Sequence, residues 1–365
     1  MLTRSVRGGP AAVAGGLTLA AAAGLLLAAS PVGAQTPIPV SVGAGVQTSF
    51  DHTSPDVGTS TDVFALNSVR LYVSGTAAPK VKFMFNTEYD GLGAGRVTVL
   101  DAAAQFEVSP QLNIWAGRFL PPSDRANMYG PYYAHHWATF QDGVQDGYPF
   151  VGTPGQGGAG RDNGVMYWGQ FDKVKVSGGV FDGGSATSSK TVISAGRVQI
   201  DFWDPEGGYY LNGTYYGKKN LLAVGVAGQV QGSDNSAWSA DFLLDRKAGE
   251  GAFSIESEFA SYNKLGGYNG RYQKDQGGYG LASYLFPPVM GMAGNFEILG
   301  KYAYAKFSGG LTALDIDYNQ KTSEFNFNYV IKEFNARIML FFLDTRFSAI
   351  KTNNKQVGIG FQLQI

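Results

Sequence analysis

The chain has 365 residues, with 28 Lys and Arg against 29 Asp and Glu, three His and no Cys. This balance leaves no basic surplus for a nucleic-acid partner, and the lack of Cys excludes a disulfide framework, thiolate metal ligands and a lipid anchor on an N-terminal cysteine. With 24 Phe, 20 Tyr, 51 Gly and a mean hydropathy of −0.09, two classes remain: a soluble globule, or a membrane β-barrel whose lipid and lumen faces average out.

At the front, Arg4 and Arg7 precede the apolar run AAVAGGLTLAAAAGLLLAAS and then PVGAQ, with Val32 and Ala34 at the −3 and −1 positions. This is the pattern of a secretory signal peptide, 1–34, with cleavage expected after Ala34; an uncleaved membrane anchor is the alternative, since the run is nearly long enough to span a bilayer. No later apolar run approaches that length. From Val40 onward the chain divides into segments of about ten residues, many of them alternating, the period of a strand with one greasy and one wet face. VRLYVSG, VKFMFNTEYD and AFSIESEFAS follow the rule. In GRVQIDFW, Val198, Ile200 and Phe202 alternate with Arg197, Gln199 and Asp201. In TSEFNFNYV, Phe325, Phe327 and Tyr329 alternate with Glu324, Asn326 and Asn328, and in FNARIMLFF, Ala336, Ile338, Leu340 and Phe342 stand opposite Asn335 and Arg337. The final stretch, KQVGIGFQLQI, alternates to its last residue, Ile365. Helical periodicity and a fixed sequence repeat are both absent.

The connectors alternate in length. TAAPK, SPQ, FDK, PPVMGMAG and IKE are short, whereas DHTSPDVGTS, DGGSATSSKT, NKLGGYNGRYQKDQ, SGGLTALDIDYNQ and TRFSAIKTNN are longer. In an outer-membrane barrel, turns are short on the periplasmic side and long outside. One stretch resists, DPEGGYYLNGTYYGKKN. If GYYLNGTYY is a strand, the count is odd and the C-terminus lies outside. If 204–220 is a periplasmic connector, the count is sixteen and both termini are periplasmic, which suits the even number that bacterial single-chain barrels require. The expected fold is therefore all-β, a transmembrane antiparallel barrel of sixteen strands over 35–365. In a closed barrel the last strand pairs with the first, and its apolar face is covered by lipid.

Alternation assigns a mixed inner wall: Arg70, Lys82, Lys173, Lys175, Arg197, Lys301 and Arg337 among the bases, and Glu88, Asp101, Glu107, Asp201, Asp241, Glu256, Glu258, Glu297 and Glu324 among the acids. A phosphate-selective pore would show a basic ladder of Arg forks and Lys ammonium groups, and none is visible. Charges on such a wall are otherwise ordinary solvated groups.

Three stretches carry a family resemblance: LDAAAQFEVSPQLNIWAGRFLPPSDR, DPEGGYYLNGTYYGKKNLLAVGVAGQVQ and SEFNFNYVIKEFNARIMLFF. They resemble the phosphate- and polyphosphate-type outer-membrane porins, the O/P porin family, and the similarity runs from about Arg70 to the C-terminus. The resemblance implies a sixteen-stranded, homotrimeric, general or weakly anion-preferring channel for small hydrophilic solutes or inorganic anions, without cofactor or metal. It also implies that the third extracellular loop, about 120–162, folds into the barrel as a constriction. A solvated external loop is the plainer reading. Candidates at the narrowing are Arg118, Asp124, Arg125, His135, His136, Asp142, Asp146 and Arg161, because rings of charge at a constriction select ions. Histidines with an ordinary pKa near 6.5 would strengthen an anion preference on mild acidification. The C-terminal strand, with Phe361, Leu363 and Ile365, resembles the signal read by the outer-membrane assembly machinery, although that signal usually ends in Phe or Trp. The implied location is the bacterial outer membrane, in contact with its lipid.

Two motifs mislead. GQGGAG at Gly155–Gly160 matches G-x-G-x-x-G, but no strand directly precedes it and no helix comes after, so a dinucleotide site fails its context. Adjacent His135 and His136 lack the spacing that sets two metal ligands on one face. A hydrolase would need one of these or His52 as its base. Besides a non-enzymatic pore, the alternatives are a structural or adhesive barrel and an outer-membrane hydrolase.

Overall fold

A computed structural model describes residues 39–90, 96–145, 160–183, 192–265, 272–349 and 351–365. The expected signal peptide and Asp146 lie outside these residues. Sixteen strands succeed one another: β1 (Val40–Pro55), β2 (Thr61–Ala78), β3 (Val81–Asp90), β4 (Arg96–Ser109), β5 (Leu112–Phe119), β6 (Asp162–Phe171), β7 (Val174–Phe181), β8 (Ile193–Asp201), β9 (Leu221–Gln231), β10 (Asn235–Ala248), β11 (Gly251–Asn263), β12 (Tyr272–Leu285), β13 (Asn295–Gly310), β14 (Tyr318–Lys332), β15 (Ala336–Phe347) and β16 (Asn354–Gln364). Among the described residues one helix, the kinked α1 (Arg125–Tyr133), lies between β5 and β6. Every strand pairs antiparallel with its neighbours in sequence, and β1 pairs with β16, so the sheet is closed. Closure satisfies the backbone of every strand, which is what lets a sheet stand in hydrocarbon.

The last residue is part of that seal. The Ile365 amide donates to the Ala44 carbonyl at 2.9 Å and the Ala44 amide to the Ile365 carbonyl at 3.1 Å. Ile365 itself is 89% exposed, as a lipid-facing side chain must be when only protein is present. Neighbouring strands carry the same outward rows: Phe325 is opposite Phe342 and Phe327 opposite Leu340, all exposed. The alternate positions, Asn326 opposite Phe341 and Asn328 opposite Met339, are buried.

Connections 79–80, 110–111, 172–173, 249–250 and 333–335 are short and lie at the end that holds both termini. The long 120–161 connection lies at the other end. Residues 202–220 contain no strand and join β8 to β9 at the termini end, as the sixteen-strand reading requires. Two details differ from the sequence pattern. The β9–β10 connection, 232–234, is short although it falls on the long-loop side. Several stretches expected as loops are paired strand instead: DHTSP ends β1, YQKDQ begins β12 and YNQ begins β14. Beyond the apolar band both faces of a strand meet water, so alternation ends where pairing does not.

Candidate functional site

Residues 120–145 have no strand period, and their local structure is built from caps and turns. Asp124 caps α1, its Oδ1 accepting from the Asn127 amide at 2.8 Å while the Asn127 side chain donates to Oδ2 at 2.6 Å. This is the ordinary N-cap chemistry of Asp. Gly130, at φ 62°, takes a left-handed conformation that breaks the helix just before Pro131.

Side chains of many strands hold this segment. Arg125 forms an ion pair with Glu206 at 2.6 Å and lies 3.5 Å from Asp241 on β10. On β11, Glu258 accepts from the Ala126 amide at 3.1 Å and Glu256 from the Tyr129 hydroxyl at 2.9 Å. Ser68 on β2 donates to the Tyr132 hydroxyl at 3.0 Å, and Gln362 on β16 donates to the Tyr132 carbonyl at 2.9 Å. Arg337 on β15 donates to the carbonyls of Tyr132 and Ala134. His135 meets Glu297 on β13 at 3.2 Å, and its carbonyl accepts from Asn328 on β14 at 2.9 Å. The Trp137 amide donates to Glu324 at 3.0 Å, and its ring stacks on Phe341 at 5.4 Å. Two wall glycines make room for these rings: a Cβ on Gly45 would come within 2.6 Å of Tyr132, and one on Gly360 closer still to Trp137.

A second aperiodic segment backs the first. Gly213 donates its amide to the Tyr133 carbonyl at 3.0 Å, Leu211 to the Met128 carbonyl at 3.3 Å, and the Tyr209 hydroxyl to the Leu120 carbonyl at 2.8 Å. Arg125 reaches the Asn212 carbonyl at 3.1 Å. Tyr209, Leu211, Met128 and Tyr129 belong to one apolar cluster with Trp115, Phe119, Trp168 and Phe181 of the wall. Thr214 and the amides of Tyr215 and Gly217 bond Asp245 on β10, which anchors the far end. The contacts that join 204–220 to 120–133 are long-range, so no local pattern could reveal them. The signal present in the sequence was a second break in strand period, with an acid, Glu206, inside a Tyr- and Gly-rich run.

Electrostatically the junction is closed to water. The side chains of Arg125 and Glu206 are wholly buried, and Arg197 pairs with Asp241 beside them. Burial alone would push the Glu206 carboxyl up, but the Arg125 charge and hydrogen bonds, Lys175 and the Tyr215 hydroxyl hold it at about 2. Burial pushes Asp124 up, against hydrogen bonds from Asn127 and Ser123. On the β2–β4 side, Arg70 pairs with Glu88 at 2.7 Å, Lys82 with Glu107 at 2.6 Å, and Arg161 lies 3.5 Å from Asp101.

Of the sequence candidates, Asp124, Arg125, His135, His136 and Asp142 are brought together on the 120–145 segment, all buried. Asp142 pairs with Lys301 at 2.6 Å. Arg70, Lys175, Arg197, Lys301, Arg337, Glu256 and Glu258 occupy the buried inner face of the wall, and Glu256 and Glu258 hold the loop. Three readings are corrected. Arg118 faces away from the other candidates: Asn113, Trp115 and Phe119 form the buried row of β5, so plain alternation turns Arg118 to the other face, opposite Ala102, where it donates to the Val99 carbonyl at 3.1 Å. Lys173 is an exposed residue of the β6–β7 turn, donating to the Phe202 carbonyl at 3.2 Å, because the strand period was extended one step too far. His136 does not gain charge on mild acidification. Burial first, then the nearby Lys301, His135 and Arg337, hold its ring well below the ordinary histidine value, and its Nε2 faces the Lys301 ammonium at 3.2 Å. Among the described residues no group of His, Asp and Glu is arranged to hold a metal.

No protein-family model and no curated protein matches this chain. Solved structures do. OmpF of Salmonella typhi, in complex with daunomycin, matches with TM-score 0.60 at 11% identity over 89% of this chain and 97% of its own. OprB of Pseudomonas putida matches with TM-score 0.59 at 9% identity over 89% and 94%. An anion-selective porin from Comamonas acidovorans matches with TM-score 0.54 at 16% identity over 90% and 100%. At such identities the likeness is one of fold: this chain is a closed sixteen-stranded antiparallel barrel of the kind seen in outer-membrane porins.

Proposed function

We propose that the chain is an outer-membrane porin, a water-filled channel for passive diffusion of small hydrophilic solutes, and not an enzyme in that role. One observation carries the reading: residues 120–145 bond side chains from β1 and β2 and from β10 to β16 at once. Only the interior of a closed ring is within reach of all these strands, which supports the reading of this segment as an inward-folded loop that narrows a passage. Without it, a sixteen-stranded lumen would be wide. Ion bias is weak, since Arg70, Lys82, Arg161, Arg197 and Lys301 each have a carboxylate partner. The O/P resemblance favours the anion side and a homotrimer, and the leader 1–34 serves export. Planar bilayers test the channel: stepwise conductance from purified protein is expected, together with liposome swelling in small sugars. A protein that inserts as a folded barrel and gives neither would end the reading.

A further inference from the structure

At the loop end of β1 and β2, on the outward face, three side chains stand in a chain of hydrogen bonds. Ser54 Oγ lies 2.9 Å from His52 Nε2, and His52 Nδ1 lies 2.7 Å from Asp62 Oδ1. His52 and Ser54 are two apart on β1 and so share a face; Asp62 is the cross-strand partner of His52 on β2. With the Nδ1 proton held by the carboxylate, the Nε2 lone pair is turned to the serine hydroxyl. Nucleophile, base and orienting acid in that order are the geometric signature of an activated serine. A fourth residue, Ser60, has its hydroxyl 3.2 Å from Ser54 Oγ, next to where an oxyanion would form. The imidazole is 41% exposed, so a substrate reaches it without movement of the protein.

The surroundings select the substrate. Toward the membrane on the same face lie Phe50 and Phe64, rings 4.7 Å apart, with Phe64 87% exposed. Val357 is the β16 partner of His52, and Ile359 that of Phe50. An acyl chain laid along this apolar strip brings a carbonyl near its polar end to Ser54.

We infer that Ser54, His52 and Asp62 form a serine esterase site for long-chain fatty acyl esters at the outer rim of the barrel, a second activity independent of any channel. Ser54 Oγ adds to the ester carbonyl while His52 Nε2 takes its proton. The tetrahedral oxyanion, bonded by the Ser60 hydroxyl, collapses and expels the alcohol, which receives that proton. Water, deprotonated by His52, then attacks the acyl-serine, and fatty acid leaves with Ser54 re-protonated. The sum is ester plus water to acid plus alcohol, with no further reactant. Asp62 is a positioning residue, since it touches only the imidazole. Its side chain is 66% exposed, so the arrangement is less pre-organised than a buried triad and turnover is slow.

The test uses full-length folded protein in detergent and in phosphatidylethanolamine vesicles. A long-chain fluorophosphonate is expected to label the peptide that carries Ser54, and S54A and H52Q to lose the label. Release of p-nitrophenol from the palmitoyl ester is expected to fall to background in both variants. D62N should keep the fold and lose most of the rate. Fatty acid released from the vesicles identifies phospholipid as a source of the ester; turnover of the nitrophenyl ester alone points to another surface ester. All three residues are exposed or half-buried, so heat-modified migration of the variants should match wild type. An unlabelled Ser54, or wild type and S54A hydrolysing the ester equally, overturns the proposal and leaves a polar rim. A missing label in a protein that conducts does not touch the porin reading, and a labelled protein that does not conduct leaves this one standing.

Discussion

Two sides of the lumen use the same chemistry with different amounts of water. On the β8–β11 side, the Arg125 and Glu206 side chains are wholly buried, and Arg197 meets Asp241 at 4% and 0% exposure. On the β2–β4 side, Lys82 and Glu107 stay 49% and 22% exposed. A buried pair is bound to its partner strongly and must be, since each ion has lost its hydration. It therefore fixes backbone, here the junction of 120–133 with 204–220. A partly wet pair holds little in place, but its field reaches any solute that passes. On the proposed channel reading, the comparison separates charges that position the loop from charges that would select solutes.

The largest expected effect strikes both sides alike. Deleting Phe361–Ile365 removes part of β16, which pairs with both β1 and β15, and the bonds between Ile365 and Ala44. Without closure an edge is exposed in lipid. Complete loss of the heat-resistant barrel from outer membranes is expected; normal levels of the truncated chain would contradict the role of that strand.

Next comes a change confined to the buried side. R125A leaves Glu206 without its ion-pair partner inside the protein, with only Lys175 nearby, and Asp241 with Arg197 alone. Removing one partner of a buried pair costs about 3–5 kcal/mol. The expected outcome is faster hydrogen exchange over 125–133, a lower melting temperature and a noisier open channel. The double variant R125M/E206Q should recover much of the melting temperature, because no ion is then stranded. R125A melting like wild type would show that the junction does not depend on this pair.

How far the sequence could carry this division is instructive. Strand alternation sufficed for the wall, including its inward Asn326, Asn328 and Gln362, because period two is local. The same rule treated those residues as wet, yet all three are buried by the loop. Closure could be inferred from the greasy face of the last strand. The helix α1 was not seen, since six of its nine residues are buried and it carries no amphipathic stripe to read. Glu206 was passed over because its partner lies far away in sequence, and Arg118 was misplaced because it was grouped with the loop that follows it, although period two counted from the inward Trp115 sets it on the outward face. Side-chain partners across a lumen are set by the folded ring, and no short pattern encodes them.

The wet side gives a smaller, signed effect. K82Q removes a positive charge and should shift reversal potential toward cations; E107Q should shift it toward anions by a similar amount. One unit charge acting across about 8 Å of water is worth about 0.5 kcal/mol, roughly a factor of two in permeability ratio. Both variants should melt closer to wild type than R125A does. Equal and large losses of stability in K82Q and R125A would erase the distinction between the two sides.

The smallest effect is expected from pH. The His136 ring is held well below its ordinary value by burial and by the charges of Lys301, His135 and Arg337. It is therefore neutral in the folded protein at pH 7.5 and still neutral at pH 5.5. The unfolded chain takes up the proton that the buried ring refuses, so His136 adds no pH dependence to folding above about pH 6.5 and opposes folding increasingly below. Glu206 carries the opposite charge but the same sign of linkage. Its carboxyl is held at about 2, so its stabilisation is complete above the ordinary glutamate range and is lost only as pH falls through about 4 toward 2. Melting temperature should thus fall on acidification through pH 6, first through His136, while the junction that Glu206 closes stays intact. Reversal potential in a salt gradient should change little between pH 7.5 and 5.5, and H136Q should leave that small dependence as it is in wild type. If H136Q removed a strong growth of anion preference over this range, the ring would have to take up a proton in the open protein, and the buried position assigned to it beside Lys301 would be wrong.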